Sequence, residues 1–142
     1  MDNERDGLMK VSAQIKKAWR EALKVQKRAY APYSNYKVGS CLLAGTKFFV
    51  GCNVENASYG ATICSERSAI LQAVTSGVKK FSGLVVVTKN DGVPCGQCLQ
   101  VISEFCGPDF PIYTGSPRGI HQRLLLKELL SFGFRRKDLQ KK

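Results

Sequence analysis

Three cysteines and one glutamate carry the chemistry most legible in this sequence. Cys64 and Glu66 stand two residues apart in T-I-C-S-E-R, and Cys95 and Cys98 follow in P-C-G-Q-C. Thiolates suit soft or borderline metals, and Zn²⁺ takes about four ligands in a tetrahedron. Three sulfurs leave one position open, the pattern of a catalytic rather than a structural zinc. Water held there has its pKa lowered from about 15.7 toward about 7. Glu66, two residues from a ligand, can exchange a proton with that water without joining the metal. Three thiolates and Zn²⁺ carry a net negative charge, which nearby cations and amide dipoles must offset, and Arg67 is the adjacent cation. The plainer reading is a structural zinc with a fourth ligand from His121, Cys52 or Cys106.

The elements that would position these residues follow from hydrophobic period and turn chemistry. Apolar residues from Leu8 to Ala29 recur at spacings of three and four, predicting one amphipathic helix over 8–30 that ends before Pro32. Its other face carries Lys16, Lys17, Arg20, Lys24, Lys27 and Arg28. Strands are expected over Lys37–Leu43 and Phe48–Asn53, a hairpin joined by Ala44, Gly45 and Thr46. A helix over about 62–76 closes at Gly77. Leu84–Thr88 reads as a strand buried on both faces, 95–105 as a helix closed by Gly107, and Phe110–Thr114 as a strand. Ile120–Leu126 could be an edge strand followed by a helical turn over Lys127–Leu130, or both could form one helix. Both site motifs then open helices that follow strand-end loops, so their positive N-terminal dipoles converge on the thiolates. This order implies a three-layer α/β/α sandwich around a mixed sheet of about five strands.

The 142 residues make one domain's worth of sequence, hydrophobic to 44% and charged to 23%. No run approaches the roughly 20 apolar residues of a membrane span. The opening MDNERDGLMK lacks the apolar core of a secretory signal, which predicts a cytoplasmic protein with access to the nucleus. In that setting the six cysteines read as thiols or metal ligands rather than disulfides, with Cys41, Cys52 and Cys106 as inert thiols. Lys and Arg total 22 against 11 Asp and Glu, a formal charge of +11. That excess allows nonspecific nucleic-acid binding, with no membrane partner expected.

Four ordered motifs, A-Y-A-P-Y-S-N-Y-K-V-G, G-C-N-V-E-N-A-S-Y, C-S-E-R-S-A-I and P-C-G-Q-C-L-Q-V-I-S-E-F, are joined by a weaker match in E-L-L-S-F-G-F and the closing D-L-Q-K. From about residue 29 to its end the chain resembles the cytidine deaminases of the small, homotetrameric type. The resemblance implies a single cytidine deaminase-like domain over 1–142, with residues 1–10 flexible, one Zn²⁺ per subunit, and active sites shared between subunits. It assigns Cys64, Cys95 and Cys98 as zinc ligands and Glu66 as proton shuttle. Asn53 and Glu55 would bind the sugar 3′-hydroxyl, and Tyr36 would pack against the pyrimidine where most relatives have Phe. Tyr59 and Phe134 would reach across subunit boundaries. The Ser65 backbone would face substrate, Arg67 would hydrogen-bond the thiolates, and Gln100 follows the last ligand as in the family.

The implied reaction is zinc-dependent hydrolysis of cytidine and deoxycytidine to uridine, deoxyuridine and ammonia in pyrimidine salvage. The alternatives are a polynucleotide C-to-U deaminase or nucleic-acid-binding protein, and a blasticidin-type nucleoside antibiotic deaminase with the same metal motif. Four positions depart from the family pattern. Leu99 replaces an Arg, which would remove charge compensation beside the sulfurs or a tie to another subunit. Ser131 replaces a Pro, Val93 a Ser, and Ser65 an Ala.

Overall fold

The computed structural model describes residues 7–140. Helix α1 (Ala13–Gln26) begins where the Ser12 side chain accepts from the Ile15 amide at 3.3 Å. That cap satisfies an amide the first turn leaves free, and it shortens the helix relative to the expected 8–30. Ahead of it, the Met9 amide donates to the Ile120 carbonyl at 2.9 Å. The backbone at Met9 is therefore held against the sheet rather than wound into the helix. Of the segment 1–10 expected to be flexible, residues 1–6 lie outside the described residues.

Strands β1 (Gly39–Ala44) and β2 (Lys47–Cys52) form the hairpin. Its two-residue turn is set by Gly45, whose φ of 63° suits glycine. A 3₁₀ turn (Tyr59–Ala61) leads into α2 (Ser65–Thr75). There follow β3 (Gly83–Val87), α3 (Gly96–Phe105), β4 (Pro111–Ser116) and β5 (Gly119–Leu125), then the short helices α4 (Leu126–Leu129) and α5 (Arg136–Leu139). The ambiguous last third thus resolves as an edge strand followed by one helical turn.

The sheet order is β2-β1-β3-β4-β5, with only β3 and β4 parallel. A parallel pair needs a crossover, and α3 supplies it. Alternation along β3 feeds two cores. Leu84 and Val86 pack with α2 and α3 residues such as Ile70 and Ile102. Val85 and Val87 pack with Ile15, Ala18 and Ala22 of α1. Helices therefore cover both faces, giving the three layers.

Two glycines set how closely those layers approach. A Cβ at Gly39 would lie 2.0 Å from the Ala22 carbonyl oxygen. One at Gly51 would lie 2.5 Å from both the Ser65 carbonyl oxygen and the Ala69 amide nitrogen. Only glycine lets β2 come this near α2, and that contact fixes the start of α2 against the sheet. Among the described residues, no helix is long and apolar enough to cross a membrane.

Candidate active site

Cys64 and Cys95 are the N-cap residues of α2 and α3, both with extended backbone and neither spending its side chain on a capping bond. Their sulfurs are left free at two helix N-termini, where partial positive charge of about +0.5 favours an anion. Cys98 lies one turn into α3. The Cys64 and Cys95 sulfurs are 3.9 Å apart, Cys95 and Cys98 3.4 Å, and all three lie within 4.8 Å of one another. That spacing and an all-sulfur donor set fit one Zn²⁺. Among the described residues His121, Cys52 and Cys106 do not join the cluster. His121 instead lies 3.5 Å from Asp91 and 3.3 Å from the Ser116 hydroxyl.

Hydrogen bonding from the Cys98 thiol, with the Arg67 guanidinium donating at 3.6 Å, brings the Cys64 thiol down to about 5. Cys98, bonded to Cys64 and buried beside Glu66, is pushed the other way, so the charge of the pair sits on Cys64. Arg67 also donates to the Thr62 carbonyl at 3.3 Å, which ties the cation to the loop ahead of α2.

Glu66 is 5% exposed, and its Oε2 lies 3.8 Å from the Cys98 sulfur. Burial holds its carboxyl above the usual carboxylate range, and the neighbouring Cys64 charge adds to the effect. Behind it, the Ser65 hydroxyl lies 3.1 Å from Glu66 Oε2 and 2.6 Å from the Ser40 hydroxyl. In the sequence Ser40 carries no signal, reading as one more small residue in an apolar strand. Strand alternation puts it on the face that carries Leu42, toward α2.

A second cluster surrounds the loop before β1. Asn53 accepts from the Val38 amide at 2.9 Å and donates to the Tyr36 carbonyl at 2.8 Å. Glu55 accepts from the Tyr33 and Ser34 amides at 2.9 and 3.1 Å and from the Ser34 hydroxyl. That hydroxyl bond, the largest cause, holds the exposed Glu55 carboxyl below its ordinary value. Glu55, Tyr33, Ser34, Asn56, Tyr59 and Thr62 line a cavity of about 370 Å³. Across it Tyr33 and Tyr59 meet edge to face, with centroids 5.8 Å apart.

Tyr36 lies outside that lining. Its hydroxyl donates to Asn90 at 2.5 Å, and Lys89 sits 5.4 Å from its ring centroid. The hydroxyl, absent from a Phe, ties the pre-β1 loop to the segment that carries Cys95. Asn90, like Thr88, which accepts from the Gly92 amide at 2.7 Å, carried no signal in the sequence.

Gln100 donates to the Phe134 carbonyl at 2.5 Å, anchoring the C-terminal segment to α3 while the Phe134 ring stays 57% exposed. Leu99, which follows Cys98 directly, turns its side chain away from solvent. It is 5% exposed in the core with Ile70, Leu84 and Ile102, because it lies on the sheet-facing side of α3.

The three-sulfur cluster with a buried carboxyl beside it defines a class, that of zinc-dependent deaminases of cytosine nucleosides and nucleotides. Residues 12–114 match the family model described as the cytidine and deoxycytidylate deaminase zinc-binding region, and the chain belongs to this family. It is similar to the cytidine deaminase of Sporosarcina psychrophila, 41% identical over 129 residues that cover 88% of this chain and 94% of that protein. The cytidine deaminase of Halalkalibacterium halodurans is 39% identical over 123 residues, 84% of this chain and 93% of the other. Among solved structures, the cytidine deaminase of Burkholderia pseudomallei superposes with a TM-score of 0.79 at 35% identity, covering 87% of this chain and all of that one.

Proposed function

We propose that this protein hydrolyses cytidine and deoxycytidine to uridine and deoxyuridine, releasing ammonia. The observation that carries the reading is the buried Glu66 carboxyl set 3.8 Å from a sulfur of a three-cysteine cluster. Cys64, Cys95 and Cys98 would hold Zn²⁺, which supplies Lewis acidity and brings water toward ionisation near neutral pH. Glu66 takes the proton that water loses on attacking the ring carbon bearing the amine, and gives it to the ring nitrogen. It then takes the second proton from the hydroxyl now on that carbon and passes it to the departing amine, so that water and nucleoside balance the uracil product and ammonia. A carboxyl raised by burial suits this two-way role, because a stronger base takes the proton from water more readily and can still hand it on.

The other residues orient substrate. A carboxylate offers about four lone-pair sites, and Glu55 has filled three, leaving one acceptor for a sugar hydroxyl. Asn53 retains a second amide hydrogen for the same group. Tyr36 lends its ring to the pyrimidine, the Ser65 backbone faces the base, and Arg67 and Gln100 hold the sulfurs and the C-terminal segment in place. Tyr59 and Phe134 would close the site of a neighbouring copy in a homotetramer, a role that their 76% and 57% exposure supports.

The test is Glu66→Gln, measured by loss of cytidine absorbance with zinc counted in the same sample. The amide keeps shape but cannot accept the proton, so zinc content and melting temperature should hold while turnover falls by about 10²-fold or more. Turnover within threefold of the parent would remove Glu66 from the mechanism. Running deoxycytidine, CMP and a short single-stranded DNA alongside ranks the substrates.

A further inference from the structure

The outward face of α1 is a single-sign surface that the deaminase reading does not use. Lys16, Lys17, Arg20 and Lys24 in the helix, with Lys27 and Arg28 just after it, are all exposed. At about 100° per residue they fall within roughly 120° of arc. Ile15, Ala18 and Ala22, on the opposite side, are buried against the sheet. Glu21, the helix's one acid, lies at the edge of the arc and pairs with Lys24 at 3.2 Å. Lys16, Lys17, Arg20, Lys27 and Arg28 form no ion pair with any described residue. Surfaces built only for solubility intersperse both signs, because like charges crowded together repel.

We infer that this face of α1 binds the phosphodiester backbone of nucleic acid without reading its sequence. The row of cations from Lys16 to Arg28 spans about 18 Å at roughly 1.5 Å per residue. A duplex presents one charge per about 1.7 Å of axis, so the face can engage several phosphates at once, whereas a single nucleotide cannot span it. The arc carries only flexible cations, with no free Asn or Gln to read an adenine edge. The helix's glutamines are engaged within the protein, Gln14 donating to the Gly45 carbonyl and Gln26 to the Lys37 carbonyl. An anionic membrane fits less well, since a membrane-surface helix must sink an apolar face into lipid and the apolar face of α1 is in the core.

The experiment uses a labelled 20-base-pair duplex of arbitrary sequence with the full-length, zinc-loaded protein. Engagement of about six phosphates predicts that Kd rises about 10³-fold between 50 and 200 mM salt. Arg20→Gln/Lys27→Gln should lower the slope of log Kd against log salt by about 2 for each protomer engaged. Lys79→Gln/Lys80→Gln removes the same net charge from the turn after α2, in the opposite layer, and should leave the slope unchanged. Cytidine turnover unchanged in both variants shows that they are folded, and keeps a failure here separate from a failure of the deaminase reading. Three results would overturn the inference: no binding at 50 mM salt, equal loss in both double variants, or retention on phosphatidylserine vesicles but not on the duplex.

Discussion

Ser40, Ser65 and Glu66 form a dry chain whose hydrogen count fixes its direction. Each serine has one hydroxyl hydrogen and neither is exposed. With Glu66 ionised, Ser65 donates to the carboxylate, so Ser40 must donate to Ser65. Ser65→Ala then strands the Ser40 hydroxyl in the interior and removes a donor from Glu66, at a cost of about 1–3 kcal/mol. Adding Ser40→Ala removes the stranded group, so the double variant should be more stable than Ser65→Ala alone. Urea midpoints at constant m-value check this, and simple additivity of the two losses would show that the hydroxyls are not coupled. In the sequence Ser65 is visible as a substrate-facing backbone position and as a replacement for Ala, but not as a buried hydroxyl. Its partner was hidden because pairing depends on which face of β1 meets α2. The sulfur ligands and Glu66, by contrast, were legible because their spacing is itself the chemistry.

The elements were legible where period and capping agreed. The apolar run of β3, the C-x-x-C helix and the Gly45 hairpin fall within a residue or two of expectation. The first helix was overextended because Leu8 and Val11 keep the helical spacing while Ser12 supplies a start signal that a count of apolar residues passes over. Leu99 exposes a second limit. Its neighbours in sequence are Cys98 of the three-sulfur cluster and Gln100, yet the turn of α3 aims its side chain at Ile70 and Leu84. Restoring the family's arginine should therefore harm this chain. Leu99→Arg places a charge among apolar side chains with no buried acid among them, a class of change that costs several kcal/mol. A fall in melting temperature of about 8 °C or more is expected for a domain of this size, given shifts of roughly 2–4 °C per kcal/mol. An unchanged melting temperature would mean that the guanidinium reaches solvent or an acid beyond this core.

At the scale of the whole molecule, the chain leaves several aromatic residues uncovered. Phe132 is 99% exposed, Tyr59 76% and Phe134 57%, although Gln100 pins the Phe134 backbone within a turn of Cys98. Holding a backbone rigid while its ring faces outward makes physical sense if the ring's partner is another copy of the chain, since burying such a side chain contributes about 1.5–3 kcal/mol. A shared site has a consequence that an internal role for Phe134 lacks. On the shared-site proposal, Glu66→Gln removes the proposed shuttle and Phe134→Ala the proposed closing ring. Some sites of a mixed assembly would then combine the intact Glu66 of one subunit with the intact Phe134 of another. Co-expression of the two variants should thus recover a substantial fraction of parental turnover, well above either variant alone. Phe134→Ala by itself should also lose specific activity on dilution if the ring contributes to the contact. Recovery no greater than the sum of the separate variants would place Phe134 in its own protomer's site, and the shared-site proposal would fall with it.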